Sequence, residues 1–112
     1  MSAITCHVLD TSLGRPAAAL EVSLALLDGT AFRDLGRAVT DADGRVKHLL
    51  GSHALLPGTY RLSFEAGAHF QAAGRATFYD RIDVQFVVTD ASQHYHVPLL
   101  LSPFGYSTYR GT

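Results

Sequence analysis

Apolar residues along this chain fall in short alternating runs rather than in long stripes at helical spacing, which predicts strands. In the first run Ile4, Cys6 and Val8 share one face of an extended segment, and His7 takes the other. Gly14, Arg15 and Pro16 break this strand. Leu20, Val22, Leu24 and Leu26 then alternate with Glu21, Ser23 and Ala25 in a second, closed by Asp28 and Gly29. Between Phe32 and Thr40 the alternation weakens. The turn signal Asp41, Ala42, Asp43, Gly44 follows and leads into Arg45, Val46, Lys47 and His48, so a hairpin is expected there.

Pro57 and Gly58 open a further strand in which Tyr60, Leu62 and Phe64 alternate with Arg61, Ser63 and Glu65. Residues 66–74 are Ala-rich, framed by Gly67 and Gly74, and form the single candidate helix, limited to two turns. Strand logic returns with Ile82, Val84, Phe86 and Val88, interleaved with Asp83, Gln85 and Val87. Next, Tyr95, Val97, Leu99 and Leu101 share a face opposite His94, His96 and Pro98. The segment from Ser102 to Gly105 turns the chain into a last strand over residues 106–110. Some seven or eight short strands with turns between them predict an all-β sandwich of two sheets. There is no internal repeat, linker or low-complexity tract.

Length sets the scale of this sandwich. At 112 residues and 12.1 kDa there is room for a single domain, residues 1–112. Surface scaling gives about 6,000 Å² exposed when folded against roughly 17,500 Å² unfolded, enough burial for one core. Apolar residues at 47% and charged residues at 17% argue against disorder.

Nine Lys and Arg stand against ten Asp and Glu, without a basic cluster, so no nucleic-acid partner is expected. A lone cysteine, Cys6, cannot form an internal bridge and fits a reducing compartment. No segment has the length and apolarity to span a bilayer, so no membrane partner is expected. The start lacks the pattern of a secretory signal and the end lacks a peroxisomal address, so the expected location is cytoplasmic.

Six histidines change the picture most. His7 and His96 both lie opposite the apolar set of their strands, so something other than the core must cover that face. Solvent is the plain alternative. His94 and His96, two apart, could bind zinc with His7, but no Cys pair or carboxylate-flanked histidine supports a metal, and none is expected. His94 reads as an exposed residue at a strand end, and His48, His53 and His69 as solvated loop or helix histidines. Cys6, on the apolar face, reads as an inert buried thiol. Without a nucleophile elbow or a phosphate loop, what remains is His, Arg and hydroxyl chemistry acting on water.

Three stretches carry a family resemblance. The opening from His7 to Ala17, HVLDTSLGRPA, the turn Asp43, Gly44, Arg45, and the ending YHVPLLLSP followed by YSTYRGT closely resemble the 5-hydroxyisourate hydrolase family, transthyretin-like enzymes of urate breakdown. The resemblance covers the whole chain. Its most specific part is the final tetrapeptide Tyr109, Arg110, Gly111, Thr112, usually Tyr-Arg-Gly-Ser in the enzymes and lacking in the thyroid-hormone carrier of the same fold. Two departures stand out: Thr112 in place of the usual Ser, and Asp80 where proline is frequent.

The resemblance implies a transthyretin-like sandwich of two four-stranded sheets with one short helix, assembled as a homotetramer. In it, the strands carrying His7, Arg45 and His96 are neighbours in one sheet whose outer face lines a channel between dimers. The implied reaction is hydrolysis of 5-hydroxyisourate, a small purine-derived substrate, to 2-oxo-4-hydroxy-4-carboxy-5-ureidoimidazoline without a cofactor. On this reading His7 and His96 are the catalytic histidines, activating water, and Arg45 stabilises developing charge. His7 and Arg45 also bind substrate, and Tyr109, Arg110, Gly111 and Thr112 bind its polar edge and close the channel mouth. A non-enzymatic carrier of the transthyretin type is the alternative, disfavoured by His7, Arg45, His96 and the terminal tetrapeptide. A structural or adhesive domain would be expected in a longer secreted chain.

Overall fold

The computed structural model describes residues 3–112, so residues 1 and 2 of the expected domain lie outside the described residues. Its exposed surface is 6251 Å², close to the size-based expectation. The strands are β1 (Ile4–Asp10), β2 (Arg15–Pro16), β3 (Glu21–Asp28), β4 (Ala31–Val39), β5 (Arg45–Val46), β6 (Gly58–Phe64), β7 (Ile82–Val88), β8 (Tyr95–Ser102) and β9 (Gly105–Thr108). One helix, α1 (Ala66–Ala72), separates β6 from β7.

Two sheets face each other. One runs β2-β1-β8-β9 with β5 also on β1, and the other runs β4-β3-β6-β7. Both short strands use one edge of β1: Arg15 and Pro16 pair with Asp10 and Leu9, while Arg45 and Val46 pair with His7 and Cys6. The first sheet is therefore four strands wide at the level of β2 and three at the level of β5, although it contains five strands. Alternation decides which side chains fill the space between sheets. Ile4, Cys6 and Val8 of β1 meet Tyr95, Val97, Leu99 and Leu101 of β8, together with Val22, Leu24, Tyr60, Leu62 and Phe64 from the facing sheet. The β1 and β8 strands run parallel, from Ile4 opposite Tyr95 to Asp10 opposite Leu101, so the other sheet lies within their crossover connection.

Three expectations need correction. The weak segment after Phe32 is a full nine-residue strand, β4. Leu24 pairs with Gly36 and Ala25 with Asp34, so Leu35 is an extra residue that resets the alternation, and the strand is a largely exposed edge. The Asp41 turn is present, but it does not make a hairpin. Asp41 accepts hydrogen bonds from the N–H groups of Arg45 and Asp43, each 2.9 Å, and the outgoing β5 crosses to the other sheet to pair with β1. Gly44 adopts φ +77° in this turn, and an added Cβ would lie 2.4 Å from the Val8 carbonyl oxygen, which excludes a larger residue.

The last strand is also shorter than expected. It ends at Thr108, and Gly111 returns to β8 through an isolated bridge to His96. At the departure residue Asp80, the backbone carbonyl accepts the Gly67 N–H at 2.8 Å and ties the loop before β7 to the helix. Among the described residues, no helix is long and apolar enough to cross a membrane.

Candidate active site

Because side chains alternate, the outer face of the first sheet receives Thr5 and His7 from β1, Arg45 from β5 and His96 and Pro98 from β8. The register then fixes who meets whom: Thr5 stands opposite His96, and His7 stands between Pro98 and Arg45. The crossing of β5 between sheets is thus what delivers an arginine to the histidine face. A cavity of about 400 Å³ opens on this face, lined by Thr5, Arg45, Lys47, His48, His94, His96 and Thr112 over a floor that includes Cys6 and Val46. Burial pushes the Cys6 thiol up to about 12, against a smaller lowering by a backbone hydrogen bond at Val46, so it is no nucleophile at neutral pH.

Hydrogen bonding sets the chemistry of the two histidines differently. His7 Nε2 lies 2.8 Å from the Asp43 carbonyl oxygen, which can only accept; Nε2 therefore carries the proton and neutral His7 keeps its lone pair on Nδ1. His96 Nδ1 is 2.7 Å from Thr5 Oγ1, and the same oxygen is 3.0 Å from His94 Nε2. The His94 and His96 rings lie nearly parallel, 6.4 Å apart. Partial burial holds the His96 pKa below the ordinary histidine value, and the positive charge of Arg45, then His7 and His94, pushes it the same way. His96 is therefore neutral at pH 7, the form that can accept a proton from water.

The chain end is divided between two places. Gly111 N–H donates to the His96 carbonyl oxygen at 2.8 Å, and a Cβ at Gly111 would lie 2.6 Å from His96 Cδ2 and 3.1 Å from Pro98 Cγ. Only glycine lets the tail lie this close to the histidine ring. Thr112 then reaches the cavity wall. Tyr109 and Arg110 turn the other way and line a second cavity of about 290 Å³ with β7 residues Val84 to Val87. The Arg110 guanidinium sits 4.3 Å over the Tyr95 ring and donates to Gln93 Oε1 and the His94 carbonyl oxygen, at 2.9 and 3.1 Å.

Alternation singled out His7 and His96 and the family resemblance Arg45; all three lie on the shared face, Arg45 and His96 in the cavity wall and His7 outside its lining. Sequence reasoning passed over Thr5, whose place beside His7 in the alternation was the available signal. It also read His94 as an exposed strand-end residue, whereas His94 is half-buried, bound to Thr5 and part of the cavity wall. His48 is exposed as expected but borders the same cavity. Among the described residues, no group of three His, Cys, Asp or Glu side chains has the arrangement to hold a metal ion.

The family model described as HIUase/Transthyretin family matches residues 4–111. A protein of Rhizobium meliloti named 5-hydroxyisourate hydrolase 2 is 50% identical, over 97% of this chain and 95% of its own. The structure of Klebsiella pneumoniae 5-hydroxyisourate hydrolase is 39% identical, covers both chains fully and superposes with a TM-score of 0.87. Sea bream transthyretin in complex with thyroxine superposes with a TM-score of 0.92 at 27% identity, covering 98% of this chain and 95% of its own. The fold is shared by the named hydrolase and by thyroxine-bound transthyretin, so the fold alone does not tell them apart.

Proposed function

The chain belongs to the HIUase/Transthyretin family, and from that premise we propose that it is an enzyme that hydrolyses 5-hydroxyisourate on the histidine face of the β5-β1-β8 sheet. Identity of 50% over nearly the full length to a named 5-hydroxyisourate hydrolase is the observation that carries the activity. The placement of His7, Arg45 and His96 on three adjacent strands supports the roles given to them below.

Water attacks a carbonyl carbon of the six-membered ring and loses a proton to the base, and the ring C–N bond breaks as that proton is delivered to the departing nitrogen. His96, neutral at pH 7 and with no partner for Nε2 among the described residues, takes the proton from water. Arg45 stabilises charge on the carbonyl oxygen, an effect worth roughly 10²–10³-fold for a single well-placed donor in a partly dry site. His7, anchored through Nε2 on Asp43, orients substrate or water through Nδ1. Thr112 and Gly111 contact the polar edge of the ligand, and Tyr109 and Arg110 brace this arrangement from the far side of β8. The scheme uses no metal and no organic cofactor.

The single domain assembles as a homotetramer in the cytoplasm. Arg45 is exposed and His7 only half-buried in the isolated chain, so a second subunit over this face would exclude the water that weakens charge stabilisation. Val87, Tyr106 and Tyr109 are exposed apolar side chains along the β7 and β9 edges and suit a further contact between copies. The testing experiment follows ultraviolet decay of fresh 5-hydroxyisourate with and without protein, with a chelator arm, alongside sedimentation. Accelerated decay insensitive to chelator, by a tetramer, is expected. Decay at the spontaneous rate overturns the activity, and a fully active stable monomer overturns the intersubunit site.

A further inference from the structure

The Thr5 hydroxyl is shared between two imidazoles, 2.7 Å from His96 Nδ1 and 3.0 Å from His94 Nε2. A hydroxyl has one proton to donate, so with both rings neutral it donates to one ring and accepts an N–H from the other. The two tautomers are therefore opposed. Either His96 carries its proton on Nδ1 and leaves Nε2 basic, or it carries the proton on Nε2 and His94 donates to Thr5 in its place. The cavity favours the first state, because Arg45 lines it together with His96, and a positive charge favours a lone pair over an N–H dipole facing it.

We propose that Thr5 is a positioning residue that holds His96 with its proton on Nδ1, so that Nε2 is the base, and that links His96 to His94 as the store for the proton removed from water. The inference rests on the hydrolase reading above and assigns new roles within that site. The relay balances: the water proton goes to His96 Nε2, the His96 Nδ1 proton passes to Thr5 Oγ1, and the hydroxyl proton passes to His94 Nε2. His96 is left neutral and His94 holds the charge, farther along the cavity wall, until the proton returns by the reverse path through Thr5 and His96 to the departing nitrogen. Arg45, His7 and His94 are the groups whose charges act on His96, and Lys47 and His48 border the same space. The Arg45 and Lys47 charges disfavour a cation on His96, which makes prompt removal of its proton valuable. Thr5 itself is 9% exposed and sits in the strand register directly opposite His96, so the bridge is held by backbone pairing as well as by its own bonds.

The test compares Thr5→Val, which keeps shape and loses the hydroxyl, with Thr5→Ser, which keeps the hydroxyl. Thr5→Val should lower kcat by about tenfold or more with KM within about threefold of the parent, and Thr5→Ser should recover kcat to within about threefold. Nitrogen-15 NMR of the imidazoles reads the tautomer directly: in the parent neutral His96 should be protonated on Nδ1, and in Thr5→Val this preference should be lost. A parental kcat in folded Thr5→Val, or His96 protonated on Nε2 in the parent, overturns the proposal. A parent protein that leaves 5-hydroxyisourate decay at its spontaneous rate fails the hydrolase reading instead, and the NMR arm still decides the tautomer. Should Thr5→Val fail to fold, the parent tautomer together with kcat of Thr5→Ser decides the matter, with a tenfold loss in Thr5→Ser counting against it.

Discussion

Strand β1 carries a polar cluster near each end, and the two are built on opposite plans. At its C-terminal end Asp10 is 2% exposed, and its Oδ1 accepts from the Ser12 N–H, the Ser12 hydroxyl and the Leu13 N–H, while Arg75 donates to Oδ2 at 2.6 Å. Burial alone would raise this carboxyl, but the bonds from Arg75, Ser12 and Leu13 outweigh it and bring the pKa down to about 2. At the other end Thr5, His94 and His96 share one hydroxyl, the cavity stays open beside them, and His96 Nε2 has no partner among the described residues. A buried polar group whose acceptors are filled fastens the β1-β2 turn to the segment after the helix. One left with a free nitrogen beside a cavity is available for chemistry.

Breaking the histidine face that holds the open cluster should have the largest effect. His96→Asn, and separately His7→Asn or Arg45→Ala, should each lower turnover by at least roughly 10²-fold while thermal melts stay near the parent, since these side chains face away from the core. Steady-state hydrolysis and melting curves check this, and near-parental turnover in folded His96→Asn would remove it from the mechanism. Breaking the closed cluster should do the reverse. Asp10→Ala should cost about 2 kcal/mol or somewhat more of stability at neutral pH and leave turnover per folded molecule within about twofold. Because the Asp10 pKa in the fold lies below its ordinary value of 3.8, its contribution is complete above that value and is lost as pH falls through about 2. Urea unfolding of parent and variant at neutral and acid pH should show the gap between them closing across that window.

A smaller effect sharpens the comparison at the tail. Gly111→Ala places a methyl against the His96 ring, so either the ring or the tail must move. A loss of kcat on the order of tenfold is expected, with little change in melting temperature, because the tail contributes no core residue. Smallest of all, Thr112→Ser removes one methyl worth at most about 1 kcal/mol and should stay within about tenfold of the parental rate. Kinetics of the two tail variants side by side test whether position 111 matters more than position 112.

Much of the sandwich was legible because period-2 alternation is dictated by the buried space on one side of each sheet. Strands β1, β3, β6, β7 and β8 bury the residues that alternation selects, apart from Phe86, which is only partly covered. Where the backbone departs from regular pairing the pattern fails. Leu35 interrupts β4, and the Asp41 turn sends β5 to the opposite sheet, a choice made by long-range pairing with β1 that no local window contains. The site was legible in part for the same reason. His7 and His96 declare themselves by lying opposite core residues, whereas a threonine in a strand looks like any β-branched filler until the register sets it across from a histidine. Asp10 and Arg75, 65 residues apart, meet only through the packed fold.

The proposed hydrolysis depends on a neutral His96, kept so by burial and by the positive charge of Arg45, to remove the proton from water. The most direct measurement is the pH dependence of kcat/KM for 5-hydroxyisourate hydrolysis by the parent and by His96→Asn. The parental rate should be sustained below pH 6.5 and then fall as His96 gains its proton, and this acid limb should be absent from the residual activity of His96→Asn. An acid limb centred above 6.5 in the parent, or an identical limb in both proteins, would contradict it.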